Sequence, residues 1–345
     1  MTIRIHLLTL GLLGMSHAAM AQDQHFTQFY ASPQLLNPGL TGAFEGRYRV
    51  SAIYRDQWRN VLDNPIRTFA VAGDLRFDPP FSRFSQDAVG LGLMFFTDQV
   101  SVLDFSTNQI ALTLAYHKAL DVDGRQYLTL GLQGGLTQRN INYAYLSFSD
   151  QFDGFTGFVL PTGEQFPENN FAYADLNVGL TYVGRFGRAG ALFAGTAIHH
   201  IVEPRATFYN QGIPGDRFYK KISAQLAANI PLGASRTALL PRFLFALQGA
   251  HAQVNAGTNV RFPVGRYGTS AVQLGSWVRP VRGVNGFDLD AVVALVGFEV
   301  NNVLFGISYD INPQALSFGR RQGALELSVA YLGEYENEQI LCPKF

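Results

Sequence analysis

The run Ile110-Ala111-Leu112-Thr113-Leu114-Ala115-Tyr116-His117 decides the fold of this 345-residue chain. Large apolar side chains alternate with small or polar ones. That is the period of a strand lying between an apolar and a polar environment. The alternation recurs at Leu128-Thr129-Leu130-Gly131-Leu132-Gln133, at Asp175-Leu176-Asn177-Val178-Gly179-Leu180-Thr181-Tyr182 and at Val303-Leu304-Phe305-Gly306-Ile307-Ser308-Tyr309-Asp310. Segments this numerous and long, behind an export signal, predict an all-β chain: a single transmembrane antiparallel β-barrel whose outer face meets lipid.

Working outward, the same reading marks about fourteen strands. They are Tyr48–Trp58, Ile66–Phe77, Val89–Thr97, Phe105–His117, Gln126–Gln138, Ala172–Arg185, Ala189–His199, Tyr219–Ile230, Arg242–Gly249, Gln253–Phe262, Thr269–Arg279, Phe287–Gly297, Asn302–Ile311 and Ala324–Glu334. An even count puts both chain termini on the periplasmic side. Even-numbered connections such as Asp121–Gly124 and Phe186–Arg188 are tight turns, and the odd-numbered Arg139–Phe171 and His200–Phe218 are the longest. Two connections break the pattern: Pro231–Pro241 is long for a periplasmic turn, and Ala250–Ala252 is short for an outer loop.

Met1–Ala21 has the form of a secretory signal, with Arg4, an apolar core from Leu7 to Met15 and the small-x-small site Ala19-Met20-Ala21. Gln22–Gly46 follows without strand rhythm. Its Phe26, Phe29, Tyr30 and Leu36 predict an ordered segment packed at the periplasmic mouth or inside the lumen, with Asn37-Pro38-Gly39 turning it toward the first strand. The barrel then takes 47–345. Asp175, Asn177, Thr181, Gln225, Asp310 and Glu326 fall on the lumen face. Gly90, Gly92, Gly131, Gly135 and Gly179 share that side, where strands curve or another backbone comes close.

Composition agrees. Charged residues make up 15% and aromatics 13%, against roughly 25% charged in soluble domains. No apolar run reaches the roughly 18 residues of a membrane helix. Twenty-six basic residues balance 26 acidic ones, so nothing recommends nucleic acid as a partner. The single cysteine, Cys342, forms no internal disulfide.

Chemistry is harder to find. There is no nucleophile elbow, zincin motif or phosphate-cradling loop. His199 and His200 would face opposite sides of a regular strand and cannot chelate together. Asp310 and Glu326 fall on neighbouring strands, as a carboxylate pair or as lumen hydrogen-bond partners. No catalytic, cofactor-binding or metal residue is assigned, and the reading is of a chain that is not an enzyme. The densest string is Tyr54-Arg55-Asp56-Gln57-Trp58. Tyr54, Asp56 and Trp58 share one face and Arg55 and Gln57 the other; the string reads as an interfacial aromatic belt with Arg55 paired inside, or as a lumenal polar network or partner contact. The outer loop carries Phe152, Phe155 and Phe158, then Phe166 and Phe171. It reads as a partner surface or as a lid folded over the lumen.

The opening Gln22-Asp23-Gln24-His25-Phe26-Thr27-Gln28-Phe29, then Ser32-Pro33 and Asn37-Pro38-Gly39-Leu40-Thr41-Gly42, resembles the start of the PorP/SprF family of type IX secretion-associated outer-membrane proteins. The resemblance continues through Tyr54–Trp58, Thr68, Asp74, Ala115–Leu120, Gly131-Leu132-Gln133 with Gly135, His200 with Pro204, Ser308–Ile311, Glu326 and the terminal Cys342-Pro343-Lys344-Phe345. It departs at Lys344, where the family often has Arg, and at Gly39, where Ala is common. It implies an integral outer-membrane barrel that works without cofactors. Its partners would be type IX-exported surface proteins, through their C-terminal sorting domains, or other secretion components. Its task would be secretion or surface attachment, as in gliding machinery. The alternative is a channel for hydrophobic or small solutes, its lumen plugged by the aromatic N-terminal segment.

Overall fold

A computed structural model describes residues 23–44, 46–59, 62, 65–79, 86–100, 104–187, 190–209, 216–233, 237–265, 270–283, 286–313 and 323–333. The expected signal, Cys342 and Phe345 lie outside them. The strands are β1 (Tyr48–Gln57), β2 (Ile66–Phe77), β3 (Ala88–Val100), β4 (Phe105–Ala119), β5 (Gln126–Asn140), β6 (Asn170–Phe186), β7 (Gly190–His199), β8 (Lys221–Pro231), β9 (Ala238–Gln248), β10 (His251–Val264), β11 (Ser270–Gly283), β12 (Gly286–Val300), β13 (Val303–Ile311) and β14 (Gly323–Gly333). Each pairs with the next, and β14 returns to β1, so the wall is closed. Every expected segment is a strand.

The period of two sorts the side chains. Leu91, Leu114 and Leu132 stand in register across β3, β4 and β5, and all three are exposed. A soluble protein rarely shows so continuous an apolar band; here it is the lipid face. Facing inward, Thr113, Gln133 and Asn177 also stand in register and are buried. Gln133 Nε2 donates to Thr113 Oγ1 at 3.0 Å, and Asn177 Nδ2 donates to Gln133 Oε1 at 2.8 Å. The lumen face therefore satisfies part of its polarity sideways, strand to strand.

One irregular connection disappears in the structure. Pro231–Pro241 was too long because a proline cannot donate to a strand ladder, and so reads as loop. Yet β9 begins at Ala238 and carries Pro241 opposite Thr258. The turn shrinks to 232–237. The other irregularity is real: β9 and β10 join through Gly249 and Ala250 alone, with Gly249 at φ 57°. That hairpin lies at the end of the barrel that carries the long connections 141–169 and 200–220. The outer rim is thus tall over β5–β8 and low at β9–β10.

This topology fixes sidedness. Single cysteines at Thr156, in the long β5–β6 connection, and at Val122, in the β4–β5 turn, should differ on intact cells. A membrane-impermeant maleimide should label position 156 and spare 122; the opposite result would invert the barrel.

Candidate functional site

The N-terminal segment lies inside the lumen, which resolves the two placements expected for it. Asp23 sits beside the outer ends of β7–β9, and Phe44 lies near the start of β1, so the segment threads the barrel lengthwise. It is irregular for local reasons. Pro33 opens a one-turn helix, Pro33–Leu36, because its fixed φ suits a first helical position. Asn37 ends that turn, and its side chain accepts the Gly39 N–H at 2.8 Å, which starts the 3-10 turn Pro38–Leu40. Apolar side chains then anchor it. Phe26 packs with Ile53, Ala70 and Phe96, while Leu40 and Ala43 pack with Val183 and Phe193. Phe29 meets Trp277 edge-on at 5.7 Å, and Tyr30 stacks on the same indole at 5.9 Å. Glycines make the fit possible: a Cβ on Gly131 would lie 2.3 Å from the carbonyl carbon of Pro38, and one on Gly90 would lie 2.2 Å from Thr41 O.

Close to the outer ends of β1, β13 and β14 is a buried charge network. Arg55 stands directly opposite Glu326 in the β1–β14 register. Its guanidinium pairs with Glu326 and with Asp310, the latter at 3.1 Å. Arg279 reaches Asp310 from the far side at 2.9 Å. The segment closes the arrangement. The N–H groups of Thr27 and Gln28 donate to the two oxygens of Glu326 at 2.7 and 2.8 Å, and Thr27 Oγ1 donates to Asp310 at 2.8 Å. Asp310 and Glu326 are therefore lumen acceptors for cations and backbone. Two further clamps lie toward the periplasm. Arg49 holds Asp74, which accepts the Gly42 N–H at 2.7 Å. Asn37 Nδ2 donates to Gln225 Oε1 and Thr196 O at 3.1 Å each.

The outer mouth has its own clamp, and here the reading of the two histidines is corrected. His199 turns inward, with Nε2 3.3 Å from Leu36 O. His200 is the first residue past β7 and adopts φ 57°, so strand alternation ends before it. It too points inward, 3.0 Å from Asp23 and 2.8 Å from Asp175. Lys221 reaches Asp23 at 3.2 Å. Burial alone would lower the His200 pKa, but the Asp23 and Asp175 carboxylates outweigh it and raise it to about 9. Burial would raise the Asp23 pKa, but Lys221 and His200 hold it well below the usual carboxylate value.

The remaining singled-out residues divide between wall and rim. Tyr54 lies on the lipid side, donating to Asp56 at 3.2 Å, and Asp56 also pairs with Arg59. Gln57 accepts from Arg55 Nε at 3.3 Å. Trp58 does not continue the Tyr54 face. It has left the strand at φ 64°, and its N–H donates to Gly323 O. Phe152 and Phe158 bridge and pack at 5.4 Å, and Asp153 accepts the N–H groups of Phe155, Thr156 and Gly157. That turn holds Phe155 at the tip, 96% exposed. Phe171 and Phe218 do the reverse. Both are buried over the lumen, Phe171 edge-on to Phe208 at 4.9 Å, Phe218 under the Arg139 guanidinium at 4.5 Å. Exposed and inward aromatics thus occur side by side on this rim: Phe155 on the β5–β6 connection, Phe171 at the start of β6 and Phe218 on the β7–β8 connection. Sequence reading missed the clamps of Asp23, Gln28, Arg49 and Arg279, because their partners lie on other elements that only the closed wall brings to them.

Glu326→Gln should lower stability by about 3 kcal/mol, the low end for breaking a buried ion pair, since Asp310 still holds Arg55. Urea unfolding in lipid vesicles would measure it. The outer clamp gives a pH expectation. A histidine raised to about 9 contributes stability that is present in full below its unfolded value and fades as pH rises through about 9. Asp23 contributes above its unfolded value and fails in acid. A spin label at Gln24 should therefore be immobile at pH 7 and loosen above pH 9. In His200→Gln that transition should vanish.

The geometry agrees with what comparison with known proteins finds. A family described as "Type IX secretion system membrane protein PorP/SprF" matches residues 18–331. No curated protein matches. Among solved structures, the chain is similar to the CymD monoaromatic hydrocarbon channel at 8% identity, covering 89% of this chain and 94% of that one, with TM-score 0.50. It is also similar to a Pseudomonas aeruginosa FadL homologue at 11%, covering 86% and 92%, TM-score 0.46. BamA from Haemophilus ducreyi lacking POTRA domains 1-3 matches at 10%, covering 84% and 70%, TM-score 0.44. At such identities the likeness shows the outer-membrane barrel fold alone. The family match spans nearly the whole barrel together with its lumenal segment, and the chain belongs to the PorP/SprF family of type IX secretion system membrane proteins.

Proposed function

We propose that this barrel is a non-enzymatic docking site at which a type IX-exported surface protein, such as an adhesin, is secreted or held at the cell surface. Family membership places the chain with type IX secretion in the outer membrane; the docking task is the further step. The observation that carries it is the β5–β6 tip. Phe155 is held out by three backbone N–H bonds to Asp153, with Phe152, Phe158 and Val159 exposed around it. An apolar cluster on a rigid turn forms a contact without first paying to order a loop. The segment clamped through the lumen favours recognition over an open pore. Partners would be the exported protein through its C-terminal sorting domain, with secretion components at the periplasmic side.

Replacing Phe152–Leu160 with a Gly/Ser stretch, or Phe155 with Asp, should leave a heat-modifiable, membrane-inserted barrel. It should release the surface partner into the medium. A partner that stays fully cell-attached would remove this tip as the docking site. Unchanged secretion and attachment in a strain lacking the whole gene would remove the assignment.

A further inference from the structure

The lumenal segment does not fill the barrel evenly. Beside the low Gly249–Ala250 hairpin, a cavity of about 60 Å³ remains between the segment and the β8–β10 wall. Phe26, Phe29, Leu36 and Leu244 form its apolar side; His25, Lys221, His251 and Gln253 form its polar side. Three features set it apart from an ordinary packing defect. Lys221 has three ammonium donors and gives one to Asp23. The His25 ring makes no hydrogen bond to a described residue. The fully buried Asn255 has neither its amide nitrogen nor its amide oxygen partnered. Asn255 does not itself line the cavity; it stands in the adjoining wall, in register with Leu244 and two residues from Gln253, both of which do. Buried polar groups are nearly always bonded, and an orphaned amide is unfavourable.

The free groups are mostly donors: two Lys221 protons and one imidazole N–H at the cavity and, in the adjoining wall, the two Asn255 amide N–H groups, against one free acceptor in the Asn255 oxygen. Asp23 also lines the cavity, and its charge is already met by His200 and Lys221. A donor-rich, half-apolar site of this size suits an acceptor head on a short hydrocarbon body.

We propose that this cavity is a carboxylate-binding site, entered from the outer mouth, that takes a carboxylate with a short apolar body. A free small organic acid and the C-terminus of a polypeptide share that chemistry. The site stands on its own geometry and does not require the β5–β6 tip to dock anything.

The test uses the full barrel in nanodiscs, with saturation-transfer NMR and calorimetry. Butyrate should bind at least tenfold more tightly than butyramide. Lys221→Gln and Asn255→Leu should each weaken it at least tenfold; the second leaves the Asp23 clamp untouched and so guards against loss of the segment. Ala246→Phe should abolish binding by filling the cavity. A tetrapeptide ending in Val, compared as free acid and as amide, separates the sources: preference for the acid supports a chain terminus, and binding of butyrate alone supports a small solute. Equal affinity for butyrate and butyramide, absence of binding at 20-fold excess of every carboxylate probe, or unchanged binding in all three variants would overturn the proposal.

Discussion

Arg55 opposite Glu326 is the interaction on which the rest depends. The two residues come from β1 and β14, the strands that close the barrel, and face each other across the seam. A one-residue slip of that seam would turn one of these side chains to lipid, where a charge costs roughly 2–4 kcal/mol at mid-bilayer for Arg or Lys. The pair therefore fixes register as much as it adds stability. Buried ion pairs often contribute little net energy, and their attested use is specification. Glu326 also accepts the N–H groups of Thr27 and Gln28, so closure of the wall and capture of the lumenal segment share one carboxylate.

A barrel of fourteen strands makes such a segment necessary. Eight strands leave an interior that side chains fill, and sixteen or more leave a water channel. Between these sizes the wall's polar face needs a partner. The segment supplies backbone amides to Glu326 and Asp74, a carbonyl to His117 and a side-chain amide to Gln225. Its apolar side chains supply the remainder, each worth roughly 1.5–3 kcal/mol when buried. Its one-turn helix and the 3-10 turn after it rest on β3–β7. Against β8–β10 it leaves the cavity and the unpartnered Asn255.

The wall was legible in the sequence and the lumen much less so. Period two runs through the strands because lipid and lumen make opposite demands on successive residues, and it lapses at the start of β12, beside the register shift at Arg279 and Pro280. It failed where a backbone rule was broken locally: Pro241 sits inside β9, His200 turns inward at positive φ, and Trp58 leaves the strand early. The site was partly visible. Arg55, Asp310 and Asn37 stood out as polar residues at odds with an apolar chain. Their pairing did not, because Arg55 and Glu326 are 271 residues apart and meet only once the seam has closed. Likewise Phe155 and Phe171 look equivalent in sequence. Only the Asp153-capped turn and the packing of Phe171 against Phe208 divide them.

That division bears on what the outer rim is for. Leaving Phe155 in water forgoes the burial energy that Phe171 gains nearby. An unselected loop would lose little by placing Ser or Asn there. Instead the turn is tied by Asp153, stiffened by the Phe152–Phe158 contact, and flanked by a second knot in which Tyr143 stacks on Phe166 at 4.9 Å. Beneath it, Arg139 and Phe218 brace the loop bases against His200, and His200 is tied to the lumenal segment through Asp23. The exposed tip therefore stands on a continuous chain of contacts reaching the clamped interior. A surface so supported presents its apolar side chains in one geometry, which is what binding a large partner with little ordering cost requires.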